Sequence, residues 1–430
     1  MTHSQLTVLR FRPFSDRFDR LDSWLQSLGA SAPFDWVEPT DIESQSCPVL
    51  LPLHCGGFYQ FGDPDWLAQR LSSLPPEILA HLKSGKLTLL LDGSGEGIAA
   101  FRGRLENLQR TLAQFGLTKP PIYLTSATNG AASYRRSCYR EGMLPILQVI
   151  YFPIQFFQVM ASFLENDEAE LCVAADAQRD KLSILGERIF LSFNYMPRWW
   201  RYALMVHLYE KNLLNRGHIS FFGEHVAERW KKDTNLDEAY LAEIISKNGV
   251  GVDPVSSVRA INALAPMTLD AGLDADRFNI AYKPDALDLY RQTFFSVVTE
   301  SDFIAETGIR FTEKSVKPLA LGHPVLIVGT AGVVEALENL GYRLRGEMFS
   351  HEYDEVACDS VRLKMVLREL DRVLHMNRYQ FQQAFAQEAE LILHNCKFSR
   401  EAVSKHRIHE GFFNQILEAL SASTDGWNKT

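Results

Sequence analysis

The sequence predicts an α/β protein of two doubly wound domains followed by a helical C-terminal segment. Short apolar runs of strand length alternate with longer stretches of helical periodicity, the pattern that builds parallel sheets covered by helices. With 430 residues, the chain exceeds one ordinary core at ~100–200 residues per domain. One polar stretch, around Asp167–Arg188, interrupts the alternation, and a second series of elements begins beyond it. These observations place a first domain over residues 1–178, a second over 179–358 and C-terminal helices over 359–430.

In the first domain the strand-length runs are Leu6–Phe11, Cys47–Leu53, Leu87–Leu91, Ile122–Thr125 and Leu171–Ala174. Apolar residues three and four apart predict helices at Trp66–Leu74, Pro76–Ser84 and Phe101–Phe115. The aromatic run Tyr151–Phe157 reads as core or interface packing. In the second domain strands are expected at Ile189–Phe193, Ile219–Phe222, Phe295–Thr299 and Val325–Val328, with helices at Arg201–Lys211, Ala286–Phe294 and Ser315–Leu321. The strand–helix–strand unit ending at Gly329 is the clearest of these, because Gly322-His323-Pro324 closes its helix and opens its second strand. Beyond it, Ser360–Met376 and Tyr379–Asn395 have helical spacing.

Hydrophobic residues at 46% and charged residues at 23% are the balance of a globular protein with sizeable cores. A formal charge of −9 repels polyanions and disfavours a broad nucleic-acid footprint. The six cysteines are scattered without a C-x-x-C pair, which argues against a zinc ribbon or a disulfide scaffold and fits a reducing cytoplasm. The N-terminus lacks the blocks of a secretory signal. The longest apolar runs, such as Pro48–Leu53, fall far short of the ~18 residues of a spanning helix. A cytoplasmic location is the expectation.

Chemistry is expected where strands end and helices begin, since helix N-termini there present positive charge to anions. Glu300 ends one strand, and Thr312-Glu313-Lys314 opens the following helix. A diphosphate at such a place gains from backbone N–H groups and from Lys314 or Lys317, while a carboxylate can grip the hydroxyls of a ribose. In isolation the same triplet reads as an N-cap and a solvated first turn.

The wider segment, Phe295 to Gly329, resembles the donor site of the α1,3-fucosyltransferase type of GT-B glycosyltransferases. In that family a Thr-Glu-Lys between two strands is followed by a helix, a Gly-x-Pro-Val turn and an apolar strand ending in Gly. It is also similar to related bacterial and phage glycosyltransferase-like proteins, in which the first strand ends in Thr-Glu and a Glu/Asp-x-Tyr-Asp element follows downstream. Thr299-Glu300 and Glu352-Tyr353-Asp354 approximate those two elements, and Asn194 with Arg198 and Arg201 approximates the family's upstream strand end and arginines. The likeness covers about residues 189–365. It implies two Rossmann-like domains facing a cleft, with Glu313 on the ribose or base end of a nucleotide sugar and Lys314 on its phosphates. It further implies Arg198 or Arg201 on the departing diphosphate. Glu352, Tyr353 and Asp354, just before a helix, read either as contacts to the base or sugar or as the cap of Ser360–Met376. Ser315-Val316-Lys317-Pro318 stands where fucosyltransferases usually have a bulky aromatic pair, which leaves the donor open.

An inverting transferase needs a base on the acceptor hydroxyl. Glu96, in the Gly-rich loop after the Leu87–Leu91 run, is the candidate and Asp92 the alternative. His54-Cys55-Gly56-Gly57 ends another strand and is a weaker acceptor-wall candidate. Asp63-Pro64-Asp65 and Asp274-Ala275-Asp276 read as turns or caps, and His207, His218 and His225 are too irregular for a metal site. No metal and no cofactor are expected beyond the nucleotide-sugar donor, with a glycan or other hydroxyl compound as acceptor. The rival readings are a transferase acting on phage-type DNA bases and a non-catalytic nucleotide-binding or assembly module of the same fold.

Overall fold

A computed structural model describes residues 5–12, 14–98, 101–117, 119–164, 188–225, 237–269, 284–304 and 308–421. The chain divides into two compact units. The first comprises Met1–Ala161, Glu306–Ile309 and Glu401–Thr430, and the second Ser162–Ala305 and Arg310–Arg400. The run at Leu171–Ala174, the polar stretch before Arg188 and the Asp274–Asp276 string lie outside the described residues.

The first unit is built on a six-stranded sheet in the order β2-β1-β3-β4-β5-β6. Its strands are β1 (Leu6–Leu9), β2 (Phe34–Val37), β3 (Val49–His54), β4 (Leu87–Gly93), β5 (Ile122–Thr125) and β6 (Gln148–Tyr151). Every pair is parallel. The central strands are apolar throughout because helices cover both faces of the sheet, and Leu50, Leu51, Leu90 and Leu91 are wholly buried. Helices Asp16–Ser27, Trp66–Ser72, Pro76–Lys83, Arg102–Gln114 and Gly130–Arg140 connect the strands. The aromatic run after β6 opens the helix Ile154–Leu164 and is core, since Phe152, Phe156 and Phe157 are buried. A C-terminal helix, Ile408–Ser421, completes this unit, with Phe412 meeting Tyr151 at 5.5 Å and Phe413 meeting Phe34 at 5.3 Å.

The second unit carries a four-stranded parallel sheet in the order β10-β9-β7-β8. The strands are β7 (Phe190–Asn194), β8 (Gly217–Phe221), β9 (Phe295–Thr299) and β10 (Val325–Val328). Gly217 is required by close approach, for a Cβ there would lie 2.4 Å from the Phe190 ring. Helices Trp199–Glu210, Glu238–Lys247, Pro254–Leu264, Pro284–Gln292, Glu313–Ala320, Val333–Leu340, Asp359–Leu374, Arg378–Gln387 and Ala389–Glu401 follow in chain order. The expected single helix Tyr379–Asn395 is two. The break falls at Glu388, whose buried carboxylate accepts from the Met348 N–H at 2.6 Å. Among the described residues no helix is long and apolar enough to cross a membrane.

Both sheets contain a topological switch point, where two adjacent strands send their connections in opposite directions and leave a crevice at their carboxyl ends. In the first unit it lies between β1 and β3, and in the second between β7 and β9.

Candidate functional site

At the switch point of the second unit β9 ends at Thr299, and the next residue, Glu300, is fully buried. Its carboxylate is consumed by the protein. Oε1 accepts from the Thr312 N–H at 3.0 Å and from Ser315 Oγ at 2.5 Å. Oε2 accepts from Thr312 Oγ1 at 2.7 Å and from the Ser301 N–H at 3.2 Å. Glu300 therefore fixes the start of the Glu313–Ala320 helix and is not available to a ligand in this state. Thr312 is the N-cap of that helix, its Oγ1 accepting from the Lys314 N–H at 3.3 Å. Arg310, itself buried, pairs through Nε with Asp302 Oδ2 at 2.5 Å.

The first turn held in this way presents charge. Lys314 Nζ lies 2.6 Å from Glu313 Oε1, with both side chains largely buried. Burial opposes ionisation of Glu313, yet Lys314 and Lys317 outweigh it and hold its carboxyl below the usual range. Lys317, one turn along, is pushed down to about 8 by desolvation, with Glu313 opposing and Lys314 adding to the shift.

From the other side of the crevice, β7 ends at Asn194 and the helix Trp199–Glu210 begins at its N-cap, Arg198. Arg198 is half-buried, and its side chain makes no ion pair or hydrogen bond among the described residues. Arg201 is 1% exposed, donating to the Met196 carbonyl at 2.6 Å and the Thr299 carbonyl at 3.1 Å, while its Nε has no partner. Burial and the nearby Arg198 lower it to about 10, against the pull of Glu300, Glu313 and Asp302, so it remains charged at neutral pH. No described carboxylate comes within ion-pair distance of it. Arg198, Arg201, Lys314 and Lys317 against Glu300 and Glu313 leave the crevice two positive charges in excess.

Two expected contacts have other employment. Asn194 is 1% exposed and turned into the sheet, where Oδ1 accepts from Thr299 Oγ1 at 2.6 Å and Nδ2 donates to Ser192 Oγ at 3.0 Å. Tyr353, also buried, accepts at its hydroxyl from the Ile327 N–H at 3.0 Å and pairs with His351 Nδ1 at 2.9 Å, so it pins the segment Glu352–Glu355 to β10. Its neighbour Asp354 accepts from the Val334 and Glu335 N–H groups, both at 3.0 Å. The N-terminus of the Val333–Leu340 helix, another natural phosphate seat, is thus filled by the protein's own carboxylate. Asp354→Ala is expected to lower stability by about 1–2 kcal/mol, the usual cost of a lost cap, read as a shift of the urea midpoint at unchanged slope.

Arg362 ties the same region together. Its guanidinium donates to the Gly329 carbonyl at 2.9 Å and the Phe303 carbonyl at 2.6 Å, and it lies 4.6 Å over the Phe303 ring. Nothing in its helical spacing distinguished it from other buried-face positions.

In the first unit the proposed base Glu96 is exposed in the loop after β4. The alternative, Asp92, is wholly buried, with Arg17 Nε at 3.2 Å and Ser94 Oγ at 2.5 Å. Burial would raise its pKa, but Arg17, His54 and Ser94 together lower it to about 2, which makes it a poor proton acceptor at neutral pH. Asp63 and Asp65 form a turn, Asp63 Oδ1 accepting from the Asp65 N–H at 3.0 Å before the Trp66–Ser72 helix.

No family model and no curated protein matches the chain. Among solved structures, it is similar to an alpha,alpha-trehalose 6-phosphate synthase from Burkholderia multivorans, with TM-score 0.43 and 11% identity over 98% of this chain and 78% of that one. It is similar to a UDP-forming alpha,alpha-trehalose-phosphate synthase from Burkholderia vietnamiensis at TM-score 0.43 and 10% identity, over 97% of this chain and 100% of that one. Likeness at that level says nothing of what this chain binds.

Proposed function

We propose that the chain is a glycosyltransferase of the GT-B type whose second unit holds the nucleotide of an activated sugar. The observation that carries the reading is the cation-rich crevice between β7 and β9. There a Glu300-anchored helix N-terminus places Lys314 and Lys317, and the opposite helix start supplies Arg198 and Arg201. A diphosphate matches the excess of positive charge and the backbone N–H groups, and Glu313 can turn from Lys314 to a ribose diol. The Thr-Glu-Lys resemblance points to the same residues.

The chemistry is displacement at the anomeric carbon, inverting and without a metal. The arginines and lysines would stabilise charge on the leaving diphosphate, and Glu96 would take the acceptor proton. Glu96 is preferred to Asp92 because an exposed carboxylate can reach a hydroxyl. Incubation with UDP-, GDP-, ADP- and dTDP-linked sugars should release nucleoside diphosphate from one of them, and Glu96→Gln should suppress that release while binding persists. Release unchanged in Glu96→Gln would remove Glu96 from the role.

Lys317 adds a pH dependence. Its folded pKa is depressed to about 8, so its charge is available to a diphosphate below that value and is lost above it. Nucleoside diphosphate affinity should therefore fall as pH rises through 8. Lys317→Arg, which keeps its charge, should flatten the profile, and calorimetric titration at several pH values checks both.

A further inference from the structure

The switch point of the first unit has a crevice of its own. Arg17 reaches it from the first turn after β1, His54, Gly56 and Gly57 from the end of β3, and Glu96 from the loop after β4. The glycines let these groups close on one another. A Cβ on Gly95 would lie 3.4 Å from the Gly56 carbonyl oxygen and 3.6 Å from Arg17 Nη2. A Cβ on Gly57 would lie 2.9 Å from both the Tyr59 ring and the Glu96 Cβ. Tyr59 remains 53% exposed at the edge of this surface.

The hydrogen bonds fix what the crevice offers. Arg17 Nη1 stands 2.6 Å from His54 Nδ1. The same Nδ1 lies 3.1 Å from the Asp92 carbonyl oxygen, so the imidazole sits between a donor and an acceptor and can itself do either. Buried Asp92 holds Arg17 from behind. The nearby charges are Arg17 positive, Asp92 and Glu96 negative, a sum of minus one that disfavours an oxyanion. Donors on Arg17 and His54 stand beside acceptors on Glu96 and the Gly56 carbonyl, with an open aromatic ring at the rim. That mixture suits hydroxyl groups, which both donate and accept, on a ring whose C–H face packs against an aromatic.

We propose that this crevice binds one ring of a neutral polyhydroxylated ligand, a sugar, packed on Tyr59 with its hydroxyls shared among Arg17, His54 and Glu96. The assignment uses the first unit alone and stands even if no nucleotide binds the second. On the sugar-transfer reading it is the seat of the acceptor, which makes that acceptor a carbohydrate and not a nucleic-acid base.

The test is ligand-observed saturation-transfer NMR on the full chain, without nucleotide, using methyl glucoside, galactoside, mannoside and fucoside with methyl phosphate as the charged control. At least one methyl hexoside should bind saturably. Tyr59→Ala and Arg17→Gln should each weaken it about tenfold or more, and Lys314→Ala should leave it unchanged. Because Arg17→Gln strands Asp92 in the core, the Arg17→Gln/Asp92→Asn double variant repeats the measurement with both charges removed and should be weakened alike. The proposal is overturned if no hexoside binds, if binding ignores Tyr59→Ala, or if methyl phosphate alone binds in an Arg17-dependent way.

Discussion

Replacing Glu300 with glutamine is expected to destabilise the second unit by about 3 kcal/mol, because an amide cannot accept the hydrogen bonds that the carboxylate accepts. Thr312 N–H and Ser315 Oγ converge on one oxygen, and Thr312 Oγ1 and Ser301 N–H on the other. A glutamine NH2 on either side faces a backbone N–H that then has no acceptor, and each stranded donor costs ~1–3 kcal/mol. Thr312→Ala loses only its side-chain bonds and should cost less, about 1 kcal/mol. Urea unfolding orders the two variants. Because Glu300 also sets where the Glu313–Ala320 helix begins, Glu300→Gln should weaken nucleotide binding as well. Wild-type stability in Glu300→Gln would show that the helix start is held by something else.

The strands that could be read from the sequence were those buried on both faces. Ile122–Thr125, Phe295–Thr299 and Val325–Val328 form as expected, since a parallel strand under two helical layers must be apolar throughout. The two edge strands of the first sheet were missed for the converse reason. Phe34-Asp35-Trp36-Val37 puts polar Asp35 outward, and Gln148 opens β6. The helices Glu238–Lys247 and Pro254–Leu264 were also missed, although Asp237 and Asp253 cap them.

The site was legible to the extent that it is local. Thr312, Glu313 and Lys314 are consecutive, so a cap and its first turn can be recognised together. That Glu300 anchors that cap depends on residues that meet only in the fold. Tyr353 and Asn194 share polar groups with strands far off in sequence, Tyr353 with Ile327 and Asn194 with Thr299. Arg17 is 37 residues from His54 and meets it only because β1 and β3 are neighbours in the sheet. Its one sequence signal was position, a basic residue in the first turn after a strand.

The largest effect on binding is expected from two cations of the crevice, Arg198 and Lys314. Arg198 makes no side-chain hydrogen bond or ion pair among the described residues, and Lys314 lies 2.6 Å from Glu313 Oε1 and 3.5 Å from Thr312 Oγ1. Each should contribute a charge-assisted hydrogen bond to phosphate worth ~1.5–3 kcal/mol. Arg198→Ala and Lys314→Ala should therefore each lower nucleoside diphosphate affinity by roughly tenfold to a hundredfold; Arg198→Ala should leave the urea midpoint near that of the wild type, whereas Lys314→Ala, which strips buried Glu313 of its partner, should lower it. Unchanged stability separates Arg198→Ala from Glu300→Gln, which loses both.

The direct measurement is the melting temperature of the wild type and of Lys314→Ala against UDP, GDP, ADP and dTDP, since a ligand that binds only the folded state raises stability as ln(1 + [L]/Kd). One of these nucleotides should raise the wild-type transition and leave that of Lys314→Ala in place. A wild-type transition indifferent to all of them, or a shift that survives Lys314→Ala, would contradict a nucleotide site between β7 and β9.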